Sequence, residues 1–271
     1  FCRPAALKNL AIHKVLSAFF RLAGQQNPSL IRHPLMMNTG FKMQEVTTMH
    51  LLERLPRETG RDYALRTIKE NIISLDLAPG SLVSENELSA EMGLSRTPVR
   101  ESLIELAKVK IVEIIPQKGS VVSRINYDLV EESRFMRHVL ECAVVELDCE
   151  LAGPDELNRL EENVKLQNFY LEHGSAESLM EMDNQFHSIL FEIAQKKQVY
   201  SLIQNISIHF DRVRRMALES NKDLKIVEDH AQILNAIRSN DPQQARHLTQ
   251  IHLSRYKFDA AAIRERYPQY F

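Results

Sequence analysis

The feature that most constrains this chain is a change of pattern at Asn126. Before it, residues 61–125 mix short helical stretches, turn residues and β-rich pieces; after it only a helical apolar period runs on to Tyr267. Such a chain must fold as a small mixed unit followed by an all-helical one. Arg61–Leu75 carries Ala64, Leu65, Ile68, Ile72 and Leu75 at helical spacing and stops before Ala78-Pro79-Gly80. Ser84-Glu85-Asn86-Glu87 reads as a capping box that opens a short helix ending at Gly93. Ser95 opens the next helix in the same way, with Pro98 in its first turn and Val99, Leu103 and Leu106 facing inward. Ile111–Ile115 and Ser120–Ile125 follow as a hairpin joined by Pro116-Gln117-Lys118-Gly119.

The fold class expected is mainly α: an N-terminal winged helix-turn-helix over 58–125 plus a C-terminal all-α six-helix bundle over 127–265. The six helices fall at roughly 128–152, 154–172, 176–195, 197–218, 222–239 and 241–265. Gly153-Pro154, His173-Gly174-Ser175 and Asn240-Asp241-Pro242 mark three of the breaks. Residues 1–57 read as an extension with a short amphipathic stretch at Ala5–Ala23 and a polar linker at Gly24–Gly40. The chain begins with Phe1, and Met36, Met37, Met43 and Met49 are candidate native starts. Lys14 interrupts the early apolar run and no small-residue cleavage site follows, so a cytoplasmic protein is expected. No run of 18 apolar residues is present, so no membrane span is expected. Cys142 and Cys149, seven apart on a helix, are too far apart to bridge and read, with Cys2, as reduced thiols.

The second helix of a helix-turn-helix enters the major groove by its N-terminal turn. Here that turn is Ser95-Arg96-Thr97-Pro98-Val99-Arg100. Arg96 and Arg100, four apart, share the face opposite Val99 and Leu103. Arginine suits bidentate contact with guanine, while Ser95 and Thr97 suit phosphate oxygens. Lys118-Gly119 at the wing tip would approach a minor groove. Against this, residues 61–125 hold nine Lys/Arg and nine Asp/Glu, and the whole chain has a net charge of −2, so no broad basic field announces nucleic acid. It is the order of elements that carries the reading of double-stranded DNA as partner.

In the second half, Asp183 and His187 stand at i and i+4 beside the Met182/Phe186 stripe, while His230 and His252 lie on later helices. One carboxylate and three imidazoles converging in a bundle would suit a borderline divalent metal. Spacing equally allows each to be a satisfied core or surface histidine, the reading kept for His138, His173, His209 and His247.

The strings Leu77-Ala78-Pro79-Gly80, Ser84–Leu88, Gly93–Glu101 and Pro116–Gly119 resemble the DNA-binding domain of the GntR family of bacterial transcription regulators. Arg137–Glu141, Asp183–His187, Asp229–Ile237, Asp241–Ala245 and His252 are similar to the FadR-type ligand-binding domain, with six helices as in its VanR-type branch. The resemblance implies that Arg96 and Arg100 read bases, Thr97 holds a phosphate and Gly119 sits at the wing tip. Asn86 departs from members that carry arginine there. It also implies a metal on Asp183, His187, His230 and His252, zinc first and nickel or manganese as alternatives, with Arg137 beside it for the carboxylate of a small organic acid. The protein expected is a homodimer on a two-fold operator, a repressor of a catabolic operon and not an enzyme. A bundle that only dimerises around a structural metal is the alternative. A metal hydrolase would need Glu181 or Glu228 as general base, and no H-E-x-x-H string supports it. The helix beginning after Asn126 and Tyr127, directly behind the wing, is the expected route between the two halves.

Overall fold

The computed structural model describes residues 49–220 and 225–271. The expectations for the extension before Met49, Cys2 included, lie outside them, as does the expected helix start at residue 222. The first helix, α1 (Gly60–Ile73), is capped by Thr59, whose hydroxyl accepts the Asp62 amide at 3.1 Å. Then come α2 (Glu85–Met92) and α3 (Arg96–Lys108), separated by Gly93 in the left-handed region at φ 64°. Ser84 and Ser95 stand at the N-cap positions, but neither side chain makes a capping bond, so the expected boxes do not form. For Ser95 the reason is chemical: the third helical residue is Pro98, which has no amide hydrogen to give.

The wing is part of a three-stranded antiparallel sheet, in which β3 (Gly119–Val122) lies between β1 (Leu82–Val83) and β2 (Val112–Ile115). The sequence reading contained only the two hairpin strands. Two residues are too few to show an alternation, so β1 left no pattern to read. Ile68, Ile72, Leu88, Val99, Leu103, Leu106 and Val122 fill the core beneath the sheet.

The second half consists of α4 (Tyr127–Leu151), α5 (Pro154–His173), α6 (Ala176–Ile193), α7 (Lys197–Ser220), α8 (Ile226–Arg238), α9 (Pro242–His252) and α10 (Tyr256–Arg266). All six expected helical segments are present, the last in two pieces broken at Leu253–Arg255. No proline or glycine marks that break; it turns Arg255 onto Asp229, with which it forms a two-pronged ion pair. Leu160, Phe186, Leu190 and Phe191 are almost fully buried. Each contributes about 1.5–3 kcal/mol by leaving water, so apolar packing is a large part of what holds the bundle together. Helix α7 is the central element, with residues 207–213 all buried, as in a helix surrounded on every side.

The two halves share a third apolar cluster built on Ile125, Val130, Phe210, Val213, Met216 and Ile263. The chain end returns to the connection: Ile125 donates to the Tyr270 carbonyl at 2.8 Å, and the Phe271 ring stacks on Tyr127 at 5.2 Å. Cys142 and Cys149 are buried free thiols, and burial pushes both up to about 11, which keeps them protonated and inert.

Candidate nucleic-acid interface and metal centre

Helix α3 buries Val99, Leu103 and Leu106 and leaves Ser95, Arg96, Thr97 and Arg100 exposed at its start, on one continuous surface. Lys118 lies exposed in the turn between β2 and β3. Gly119 pairs with Ile115 at the base of that turn, with φ at +109°, a conformation a side chain would strain. Arg100 is engaged within the chain: Glu85 on α2 accepts from its Nε and Nη2 at 2.8–3.1 Å. Both partners are accessible, so this ion pair is one that a base or phosphate can replace. Asn86 is exposed beside it and brings no charge.

In the bundle, Asp183, His187, His230 and His252 meet. One ligand atom from each lies within 4.8 Å of all the others. Nε2 of His252 stands 3.3 Å from Nε2 of His187 and 3.3 Å from Nε2 of His230. Asp183 Oδ1 is 3.7 Å from His230 Nε2, and Oδ2 is 3.8 Å from His187 Nε2. The spacing comes from three elements: α6 supplies two ligands one turn apart, and α8 and α9 one each.

The outer nitrogens explain why these rings face one another. His230 Nδ1 lies 2.7 Å from the amide oxygen of Gln167, itself oriented by Asn163 at 2.6 Å. His187 Nδ1 lies 2.7 Å from Glu141 Oε2, and His252 Nδ1 faces Asp229 at 3.6 Å. The Gln167 acceptor draws the His230 proton to Nδ1, and the negative charge of Glu141 and of Asp229 beyond the other two rings favours the same tautomer, which leaves the Nε2 lone pairs pointing inward. Three lone pairs around one point repel unless a cation stands among them. Zinc bonded to two imidazoles at tetrahedral angles holds the nitrogens roughly 3.3 Å apart, which is the spacing seen here. The N₃O donor set therefore fits a borderline divalent metal.

The charges agree. Burial lowers His187, against the pull of Glu141. Burial and the neighbouring His252 push His230 well below 6.5, so both rings stay neutral, the state a ligand requires. Burial opposes the charge on Asp183, but the Arg214 guanidinium bonded to it outweighs burial and holds its carboxyl far below the usual range. Burial likewise opposes Glu141, and Arg137 and His187 outweigh it and hold the group down at about 2.

Arg137 is buried and donates from Nε to Glu141 at 2.6 Å, with its guanidinium 5.4 Å from the Phe210 ring centre. It therefore supports the carboxylate that orients His187. The arginine that reaches the ligand set itself is Arg214 on α7, bonded to Asp183 and, at 2.8 Å, to Asp211. Sequence reasoning missed Arg214, Gln167 and Glu141 as parts of this centre. Arg214 stands among Arg212 and Arg215, a run that reads as a solvated face, and Gln167 is an ordinary helix residue with no motif around it. The four histidines set aside stay apart from the centre: His173 and His247 are exposed, His138 is half-buried, and His209 is buried with its Nε2 2.7 Å from the Val109 carbonyl.

Comparison with known proteins joins the two halves. Residues 63–122 match the bacterial regulatory proteins of the gntR family, and residues 132–255 match the FCD domain. An HTH-type transcriptional regulator of Streptomyces ambofaciens is 34% identical over 217 residues, covering 79% of this chain and 90% of that protein. The HTH-type transcriptional repressor RspR of Escherichia coli is 28% identical over 217 residues, covering 80% of this chain and 95% of its own. The solved structure of E. coli McbR/YncC shares the fold at a TM-score of 0.67 and 20% identity, covering 78% of this chain and 99% of that one. Among the described residues no helix is long and apolar enough to cross a membrane. The exposed arginines on a helix-turn-helix, the wing behind them and the helical FCD domain place this chain in the GntR family of DNA-binding transcription regulators.

Proposed function

We propose that this regulator is a homodimeric, cytoplasmic repressor whose hold on operator DNA is set by a small organic acid bound beside a divalent metal. In this reading residues 58–125 read DNA through Ser95, Arg96, Thr97, Arg100, Lys118 and Gly119, and residues 127–265 form the sensor. Asp183, His187, His230 and His252 hold the metal, zinc or, at the same donors, nickel or manganese. The observation that carries the reading is the convergence of three Nε2 atoms on one buried carboxylate, with Gln167, Glu141 and Asp229 standing on the far sides of the rings. A metal there supplies charge and coordination sites for a carboxylate. Arg214 and Arg137, each already paired with a carboxylate of the chain, are the guanidinium groups that an incoming carboxylate would take over, so a small organic anion is the ligand class proposed.

A second reading has an observation of its own. The side chains of Asp183, His187 and His230 are at most 4% exposed and that of His252 is 7% exposed, a closed setting that suits a structural metal. One experiment separates the two. DNA selected from a random library by the purified protein is titrated with protein stripped of metal, loaded with zinc, and loaded with zinc plus each of a panel of small carboxylic acids. The sensor reading expects at least one acid to change affinity by about 5- to 150-fold, only in the zinc-loaded protein. Affinity that follows zinc but ignores every acid would leave the metal structural.

A further inference from the structure

The connection between the two halves contains more than the short link through Asn126 and Tyr127. Helix α7 carries polar side chains to both. Toward the metal centre it sends Arg214, which donates to Asp183, to Asp211 and, at 3.2 Å, to Asn184. Toward the DNA-binding half it sends His209 and Arg212. His209 Nε2 lies 2.7 Å from the carbonyl of Val109, the residue that caps the C-terminal end of α3. Arg212 donates from Nη1 to the Ser123 carbonyl, just past β3, at 2.7 Å, and its Nη2 lies 3.4 Å from His209 Nδ1.

The protonation of this chain follows from the partners. A guanidinium only donates and a carbonyl only accepts, so His209 accepts at Nδ1 and donates from Nε2. Burial holds the ring down at about 4, so it is neutral and can do both. Arg212, His209, the end of the reading helix and the end of the wing thus form one buried relay. Its two anchor points on the DNA-binding half are backbone carbonyls, so it grips position and not side-chain identity. Ile208, on the same turn, is buried in the apolar core beneath the sheet, and Lys69 on α1 donates to the Gln204 carbonyl at 2.9 Å.

His209 and Arg214 are five residues apart, about 7.5 Å along one rigid helix that is packed on all sides. A tightly packed helix shifts as a body, because its neighbours leave no room for local bending. Arg214 is bonded to the very carboxylate that a metal would take, so its position depends on what Asp183 holds.

We propose that α7 is the transmission element of the regulator: Arg214 registers the state of Asp183, and His209 and Arg212 carry that state to the C-terminal end of the reading helix and the base of the wing. This rests on the metal reading above. It places the coupling inside one chain, through a two-ended buried helix, in addition to any change of dimer geometry.

Hydrogen–deuterium exchange of the full chain, with Zn²⁺ alone as probe, tests it. In the wild type, zinc should slow exchange about tenfold around residues 183–187 and 230, and should also change it at residues 109–111 and 123–125. His209→Leu and Arg212→Met should keep the first effect and lose the second. His209→Gln, whose amide can donate and accept in the same places, should keep both, which a merely space-filling role for His209 does not predict. Should Arg212→Met fail to fold, the Leu and Gln variants at 209 carry the test. Zinc protection of the bundle with no response at 109–111 and 123–125 in the wild type overturns the coupling and leaves the metal site standing. An undiminished response in His209→Leu overturns it as well. No protection around 183–187 overturns the metal reading, and the coupling falls with it.

Discussion

Replacing Gln167 with leucine isolates the outer layer of the metal centre. Gln167 stands behind the four ligands; its amide oxygen meets His230 Nδ1 at 2.7 Å, and Asn163 holds that amide in place from the turn before. Leucine keeps the volume and the helix but removes the acceptor. The proton on His230 is then no longer drawn to Nδ1, and the ring loses both its fixed tautomer and part of its basicity. Losses of such outer partners lower metal affinity by about 10- to 100-fold, or roughly 1.4–2.7 kcal/mol. The same figure can be read from melting. At zinc concentrations well above the dissociation constant, the metal-induced stabilisation should shrink by that amount, roughly 3–11 °C of melting temperature for a domain of this size. Competition with a chromophoric chelator measures the affinity directly. Asn168→Ala is the control, since that exposed side chain on the next position bonds only to the Val164 carbonyl. Equal zinc affinity in Gln167→Leu and wild type would refute the reasoning that His230 is a ligand aimed by its outer nitrogen.

Three further outcomes are expected. Arg96→Ala and Arg100→Ala should each weaken binding to library-selected DNA by about 5- to 150-fold at fixed salt, and Glu85→Gln, which releases Arg100, should strengthen it; unchanged affinity in a gel-shift titration for all three would sink the reading head. Asp148 is fully buried and burial alone raises its carboxyl to about 9, so above pH 3.8 the unfolded chain gives up a proton that the folded one keeps, and stability falls as pH rises from about 4 toward 9. Asp148→Asn should therefore raise stability by up to about 4 kcal/mol at pH 7 and by little at pH 4, and denaturant melts showing an equal effect at both would contradict this. Light scattering should find a dimer, free or on DNA; a monomer in both conditions would remove the two-fold operator from the account.

What could be read in the sequence follows the length scale of the signal. The order helix, helix, helix, hairpin was legible because Pro79-Gly80, Gly93 and Pro116–Gly119 punctuate apolar periods long enough to count. The metal quartet was half legible: Asp183 and His187 announce themselves by sharing a helix face, while His230 and His252 needed a resemblance to be joined to them. The supporting residues were not legible. Gln167, Glu141 and Arg214 are polar residues of kinds that usually face water, and only the packing of α5, α4 and α7 around α6 turns them inward. For His209 the spacing allows a surface or a satisfied core histidine, and the structure has it buried and bonded; its partner across the domain junction lies 100 residues away, beyond the reach of local pattern. The break after His252 was missed because the ion pair of Arg255 with Asp229 is a tertiary contact that no turn residue foretells.

The most direct test of the account is a crystal of the zinc-loaded protein measured on either side of the zinc absorption edge. The account predicts one anomalous peak per chain inside the bundle, about 2.0–2.2 Å from Asp183 and from Nε2 of His187, His230 and His252, lost in His230→Ala. A protein that takes up zinc elsewhere, or shows no peak among these four side chains, would contradict it.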